Sequence, residues 1–132
     1  MKFEIDGQPQ GKARPRITRY SHYTPQKTKD YEYYIKQCFM VAGGRMIERG
    51  KAISMTLTAV YQIPKSFSKK KTAAALLGEI KPLTKPDIDN VIKVVCDALN
   101  GVAYKDDTQI TSVTAIKYYG DKPKITVYLE EK

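Results

Sequence analysis

Lys85-Pro86-Asp87-Ile88-Asp89-Asn90 opens the stretch on which the reading of this chain turns. Proline is tolerated in the first turn of a helix and aspartate is a good cap, so Pro86 and Asp87 mark a helix start. At about 100° per residue, Asp89, Asn90, Lys93, Asp97 and Asn100 fall on one narrow stripe, while Val91, Ile92, Val94, Val95, Ala98 and Leu99 cover the rest. The spacing predicts a mostly buried helix with a single polar seam, ended by Gly101 as a left-handed residue. A short apolar turn, Val102-Ala103-Tyr104, then leads to Lys105-Asp106-Asp107. So short a connection can return Asp106 or Asp107 to the side of the helix, provided the next strand packs on it.

The acids of this stretch stand out against the rest of the chain. The 132 residues carry a net charge of +9, yet five of the 14 acidic residues lie in the 21 positions from 87 to 107. A basic protein has little electrostatic reason to gather carboxylates unless a cation sits among them, and a divalent metal is the natural candidate because hard cations take oxygen ligands. Each feature alone has a plainer explanation. A first-turn Asp favours the helix dipole, Asp89, Lys93 and Asp97 have the spacing of a surface ion-pair ladder, and Asp106-Asp107 suits a turn. A surface ladder does not account for a polar seam on a helix that is otherwise apolar.

Outward from this centre, the length suits one domain over 1–132 that buries a core without disulfides. The two cysteines, Cys38 and Cys96, lie within apolar helical patterns and read as reduced core thiols of a cytoplasmic protein. No apolar run approaches the roughly 18 residues of a membrane span, and no signal-peptide pattern follows Met1, so no membrane partner is expected. The positive charge points instead to an anionic partner, with nucleic acid the default.

Residues 2–6 alternate as a strand. Residues 8–29 carry Lys12, Arg14, Arg16, Arg19, Lys27 and Lys29 without one acid, with Tyr20, His22 and Tyr23 among them, and read as a long loop or loose ribbon able to contact phosphates. Thr24-Pro25 begins a helix to about residue 42, with Tyr31, Tyr34, Ile35, Cys38, Phe39 and Ala42 as its apolar stripe. Residues 52–63 alternate as a long strand with one buried face. A second basic cluster, Lys65, Lys69, Lys70 and Lys71, leads into a short helix through about Leu77, capped by Ser66 or Ser68. Residues 108–119 and 124–130 read as two strands forming a hairpin, the first with a bulge near Val113. The order β-α-β-α-α-β-β suits an α+β, two-layer sandwich: a mixed sheet with helices packed on one face.

The run Pro86-Asp87-Ile88-Asp89-Asn90-Val91-Ile92-Lys93, then Asp97-Ala98-Leu99-Asn100-Gly101 and Asp106-Asp107-Thr108-Gln109-Ile110, resembles the RusA family of Holliday junction resolvases. The resemblance implies a small, dimeric, magnesium-dependent endonuclease of the kind carried by phages and prophages, acting on four-way junctions in DNA recombination and repair. By the same resemblance the essential aspartates fall on Asp87, Asp89 and Asp107 and the essential lysine on Lys93. Asn90, Asp97, Asp106 and Gln109 take supporting roles. The segment from Gly11 to Arg16 is more basic than the Pro/Asn-rich segment of some members and resembles another branch.

Apart from the resemblance, the residues suit phosphodiester hydrolysis. That reaction needs an activated water, a neutralised phosphate and a stabilised leaving alkoxide. Asp87, Asp89 and Asp107 could hold one or two Mg²⁺ ions, with Mn²⁺ as a substitute. Lys93, one turn beyond Asp89, could bond a phosphate oxygen or orient the water. The expected phosphate-binding surface is Lys12, Arg14, Arg16, Arg19, Lys27, Lys69, Lys70 and Lys71. No Ser/His/Asp set or phosphate-cradling glycine loop is present, so covalent hydrolase and kinase chemistry and a small-molecule cofactor are not expected. Two other readings remain open: a non-catalytic nucleic-acid-binding module with the acids as a structural ladder, and a general metal-dependent nuclease without junction selectivity.

Overall fold

The computed structural model describes residues 1–13, 16–17 and 22–132, with 16, 17, 22 and 23 described by backbone alone. The elements follow the expected order. Strand β1 (Lys2–Asp6) is followed by a two-residue pair, β2 (Arg16–Ile17) and β3 (His22–Tyr23), helix α1 (Gln26–Val41), strand β4 (Ile53–Gln62), helix α2 (Lys69–Leu76), helix α3 (Ile88–Leu99), and strands β5 (Ile110–Gly120) and β6 (Lys124–Glu131). The sheet order is β1-β6-β4-β5, with β4 and β5 parallel and the other pairs antiparallel. This is the expected α+β architecture with a mixed sheet.

The sheet is two-faced because its strands alternate. Phe3, Val127, Leu57 and Ala115 make one cross-strand row, and Met55 and Leu129 lie in the next. These side chains, with Ile5, Ile53, Ala59, Tyr61 and Ile125, pack into a single core with Tyr31, Ile35 and Phe39 of α1 and with Val91, Val94, Val95, Ala98 and Leu99 of α3. Phe3 meets Phe39 edge-on, ring centroids 5.4 Å apart, which ties β1 to α1. The opposite sheet face exposes Ile116 and Tyr128. Each fully buried Val or Leu of α3 contributes about 1.5–3 kcal/mol, so the helix is held by its apolar flanks and its polar seam is left to other work. No helix among the described residues is long and apolar enough to cross a membrane.

Several local expectations are corrected. The last two strands do not form a hairpin, because β4 lies between β5 and β6 and hydrogen-bonds to both. The physical reason is burial: every other residue of β4 from Ile53 to Tyr61 is buried, which suits a central strand, whereas residues 111–114 of β5 are all exposed, which suits an edge. The irregularity expected near Val113 lies earlier, where the register jumps from Ile53↔Ile110 to Ser54↔Ser112 and leaves Thr111 over. Helix α1 is entered with Pro25 at the cap position and no side-chain cap, so Thr24 does not cap it. On its stripe Tyr34 and Ala42 are exposed and Cys38 half-buried, while Thr28 is buried. Ser68, not Ser66, caps α2, its Oγ accepting from the Lys71 N–H at 3.1 Å.

Candidate active site

Helix α3 begins at Ile88 with Asp87 as its N-cap, and the Asp87 carboxylate makes no capping hydrogen bond to the helix. What holds this entry comes from neighbouring elements. The Tyr61 hydroxyl of β4 donates to the Pro86 carbonyl at 2.6 Å. The Lys117 ammonium of β5 donates to the Thr84 carbonyl at 2.7 Å and lies 4.8 Å from the Tyr61 ring centroid. On the other side, the Lys12 N–H donates to the Asn90 carbonyl at 3.0 Å. A Cβ on Gly11 would come within 2.9 Å of both Asn90 Cβ and Pro86 Cβ, so only glycine lets the chain pass this close. Burial, and then the Asp87 charge, push the Tyr61 hydroxyl up to about 12. It therefore stays a hydrogen-bond donor beside an acid.

Along the seam, Asp89 and Lys93 are exposed and Asn90 and Asp97 are half-buried. The structure thus brings these residues onto one side of α3. It does not pair them as an Asp89–Lys93–Asp97 ladder. Asp97 is paired instead with Lys12, Oδ2 to Nζ 3.2 Å, and the same ammonium lies 3.0 Å from Glu32 Oε2 of α1. Burial alone would lower the Lys12 ammonium, but the two carboxylates outweigh it and the net shift is upward.

The turn after α3 returns to the seam as the short connection requires. Gly101 has φ +80°, the left-handed geometry expected of it. Its N–H donates to the Tyr104 carbonyl at 2.8 Å, and the buried Tyr104 hydroxyl donates to the Cys96 carbonyl at 2.7 Å. Asp106 then caps a single 3₁₀ turn (Asp107–Gln109), with the Gln109 side chain bonding back to its backbone. The Gln109 amide also donates to the carbonyls of Glu48 and Lys51, at 2.8 and 3.1 Å. Gln109 is therefore the staple that fixes the acidic turn to the loop before β4.

This geometry splits the acidic pair. The Thr108 N–H, and then a bond with Asp107, hold the Asp106 carboxyl below the usual range. Asp107 moves the other way. Its hydrogen bond with Asp106 raises it first, then burial and the Asp106 and Asp97 charges, while Lys93 acts in the opposite direction. Asp97, Asp107 and Lys93 are thus near enough for their charges to act on one another. Among the described residues, no three His, Cys, Asp or Glu side chains are gathered closely enough to enclose a metal ion.

Two open cavities lie near these elements. One, of about 500 Å³, lies at the α3 entry between Gly11, Lys12, Lys27, Lys85, Asp87 and Asn90. The other, of about 380 Å³, lies behind the acidic turn and is lined by Arg49, Lys51, Lys105 and Asp106 among others. Of the expected phosphate contacts, Lys27, Lys69, Lys70 and Lys71 are exposed, and Lys71 lies 4.2 Å from the Phe67 ring centroid. Arg14, Arg19 and the side chain of Arg16 fall outside the described residues.

Glu32, Tyr61, Arg49, Lys51 and Lys105 were not singled out from sequence. Tyr61 had a signal, a tyrosine on the buried side of a strand needing a hydroxyl partner. Glu32 had none. Both cysteines are free and half-buried, and burial pushes the Cys96 thiol up to about 11. That fits an unreactive thiol.

A seam of carboxylates and one exposed lysine on a basic α+β domain defines a site suited to phosphate esters. Comparison with known proteins gives the class: the model of the family Endodeoxyribonuclease RusA matches residues 6–130. The chain belongs to that family and is accordingly a nuclease, a hydrolase of DNA phosphodiester bonds. It is also 34% identical over 137 residues to "Uncharacterized protein YqaN" of Bacillus subtilis (strain 168), covering 99% of this chain and 96% of that one.

Proposed function

We propose that this protein is a structure-selective endonuclease that resolves four-way DNA junctions by paired nicks, with Mg²⁺ as its metal. The observation that carries the reading is the α3 entry. Asp87 sits at a rigidly held helix start without capping its own helix, and exposed Asp89 follows within the first turn. Both carboxylates are left for a ligand outside the fold.

The donor set fits a hard cation. Mg²⁺ is commonly held by only one or two carboxylates with water and phosphate completing its shell, so an enclosed three-residue cluster is not required. Asp87, Asp89 and Asp107 would hold it, and Asp107, raised by neighbouring acids, would have its charged form stabilised by a cation. When bound, the ion supplies charge neutralisation on the scissile phosphate and a more acidic water. The remaining work belongs to the chain. Lys93, exposed and without an ion pair among the described residues, bonds a non-bridging phosphate oxygen. Tyr61 and Gly11 hold the α3 entry, and Gln109 with Asp106 holds the turn that presents Asp107. Asn90 and Asp97 support the seam.

Junction DNA would lie across Lys27, Lys69, Lys70 and Lys71, which are exposed; Arg14, Arg16 and Arg19, which follow the arm (residues 8–13) in sequence, are added to that surface from residue type alone. A homodimer suits paired nicks, since a two-fold axis presents two sites to equivalent phosphates. The sheet edge supports it. Edge strand β1 has five residues, three of them charged, whereas edge strand β5 has eleven with Lys117 as its one charge. Long uncharged edges invite pairing with another strand. The free, half-buried cysteines and the proposed DNA substrate support a cytoplasmic location.

The test is cleavage of a labelled four-way junction in Mg²⁺ beside linear duplex of the same sequence, with Asp89→Asn and EDTA as controls. Paired nicks in the junction alone, lost in both controls, are expected. Equal cutting of the linear duplex would replace the reading with a general nuclease, and binding without cutting in Mg²⁺ or Mn²⁺ would replace it with a binding module.

A further inference from the structure

We infer that Lys12 is a positioning residue, an internal strap that fixes the arm across α3, and not one of the phosphate ligands. Its effect on cleavage rests on the nuclease reading above; its place in the fold does not.

The sequence presents Lys12 as the first cation of an acid-free basic stretch. In the structure its ammonium already has two carboxylates, Glu32 of α1 at 3.0 Å and Asp97 of α3 at 3.2 Å. Its side chain is 13% exposed, against 17% for Glu32 and 30% for Asp97. An ammonium has three donors, so two are engaged inside the fold. The cluster of one cation and two anions carries a net charge of −1, and a phosphate oxygen approaching Lys12 meets repulsion.

Lys12 and Gly11 also fasten the arm by its backbone. The Lys12 N–H bonds the Asn90 carbonyl, and Gly11 packs on Asn90 and Pro86 without room for a Cβ. The strap therefore lies on the turn that carries Asp87, Asp89 and Asn90, and bridges α1 to α3 behind it. Loss of the Lys12 charge leaves Glu32 and Asp97 facing each other and frees the arm from the helix that bears the acids. The effect on catalysis acts through Asp87 and Asp89, whose placement sets the reaction geometry.

The salt dependence of DNA binding separates the two roles. Removing a cation that neutralises one phosphate lowers the slope of log K against log salt by about 0.9 on duplex DNA. We expect Lys12→Met to keep the parent slope while lowering kcat about tenfold with little change in KM. Glu32→Gln, which keeps the Lys12–Asp97 pair and so tolerates the change better, should also lower kcat. A strap makes these two substitutions act in the same direction although they change charge in opposite senses. A phosphate ligand makes them act oppositely, since removing Glu32 would free Lys12 and tighten binding. A slope reduced by about 0.9 per chain in Lys12→Met, or faster cleavage by Glu32→Gln, would overturn the inference. A parent chain that binds junctions without cutting overturns the nuclease reading alone, because the slopes still decide the role of Lys12. One that binds no DNA overturns the nuclease reading and with it the effect of Lys12 on cleavage.

Discussion

Two lysines meet the acidic seam of α3, and the fold treats them differently. Lys12 approaches from the arm, is nearly buried and is shared between Glu32 and Asp97. Lys93 belongs to the helix itself, is exposed, and has no ion pair among the described residues. At its closed end, where Asp97 meets Lys12, the seam is tied into the fold and becomes structure. At its open end, Asp87, Asp89, Lys93 and Asp107 stand without such closure. A lysine held by two carboxylates is committed to the scaffold, because removing one partner leaves the others uncompensated, whereas one left in solvent beside carboxylates remains able to bind a ligand.

The sharpest way to break this comparison is to remove charge from the open end. Asp87→Asn or Asp89→Asn should reduce junction cleavage by about a thousandfold or more, with binding retained or tightened because a negative charge has gone. Single-turnover cleavage beside fluorescence anisotropy measures both. If either variant cuts at the parent rate, the open end is not the reacting site. Lys93→Ala comes next, with a loss of about a hundredfold in cleavage and no loss of melting temperature, since Lys93 makes no ion pair or side-chain hydrogen bond among the described residues. A large drop in stability would make Lys93 a second Lys12.

Gly11→Ala tests the closed end without touching any charge. Its Cβ would press on Asn90 and Pro86, so the arm must lift from α3. We expect a loss of about 1–3 kcal/mol of stability together with slower cleavage. Unaltered cleavage would mean that the arm does not position the helix. The smallest effect should come from Tyr61→Phe, which deletes the bond to the Pro86 carbonyl and costs about 0.5–1.5 kcal/mol. Denaturant midpoints resolve a change of that size. A neutral result would show that Lys117 and the strap suffice to hold the α3 entry.

The open end was far more legible in the sequence than the closed one. Asp87 and Asp89 open a helix whose period sets the direction of Asp89 and Lys93, and Gly101 announces the turn that brings Asp107 back. The fold class was legible for the same reason, since alternation in β4 and 3.6-residue spacing in α1 and α3 are local patterns. The neighbours of β5 were not. A turn of three residues before β6 reads as a hairpin, and only the competition for the central position places β4 between them. Nor was the part played by Gln109, whose amide bonds carbonyls about sixty residues earlier in the chain.

The sequence by itself determined the main helices and strands, the buried face of β4, the seam of α3 and the family, because each is written in spacing along the chain or in residue identity. Tertiary structure alone decided which acid meets which base. An ammonium on the arm, a glutamate on α1 and an aspartate on α3 become a single ion cluster only when two helices pack on one sheet face. Coulomb energy depends on distance in space, and no periodicity along the chain encodes it.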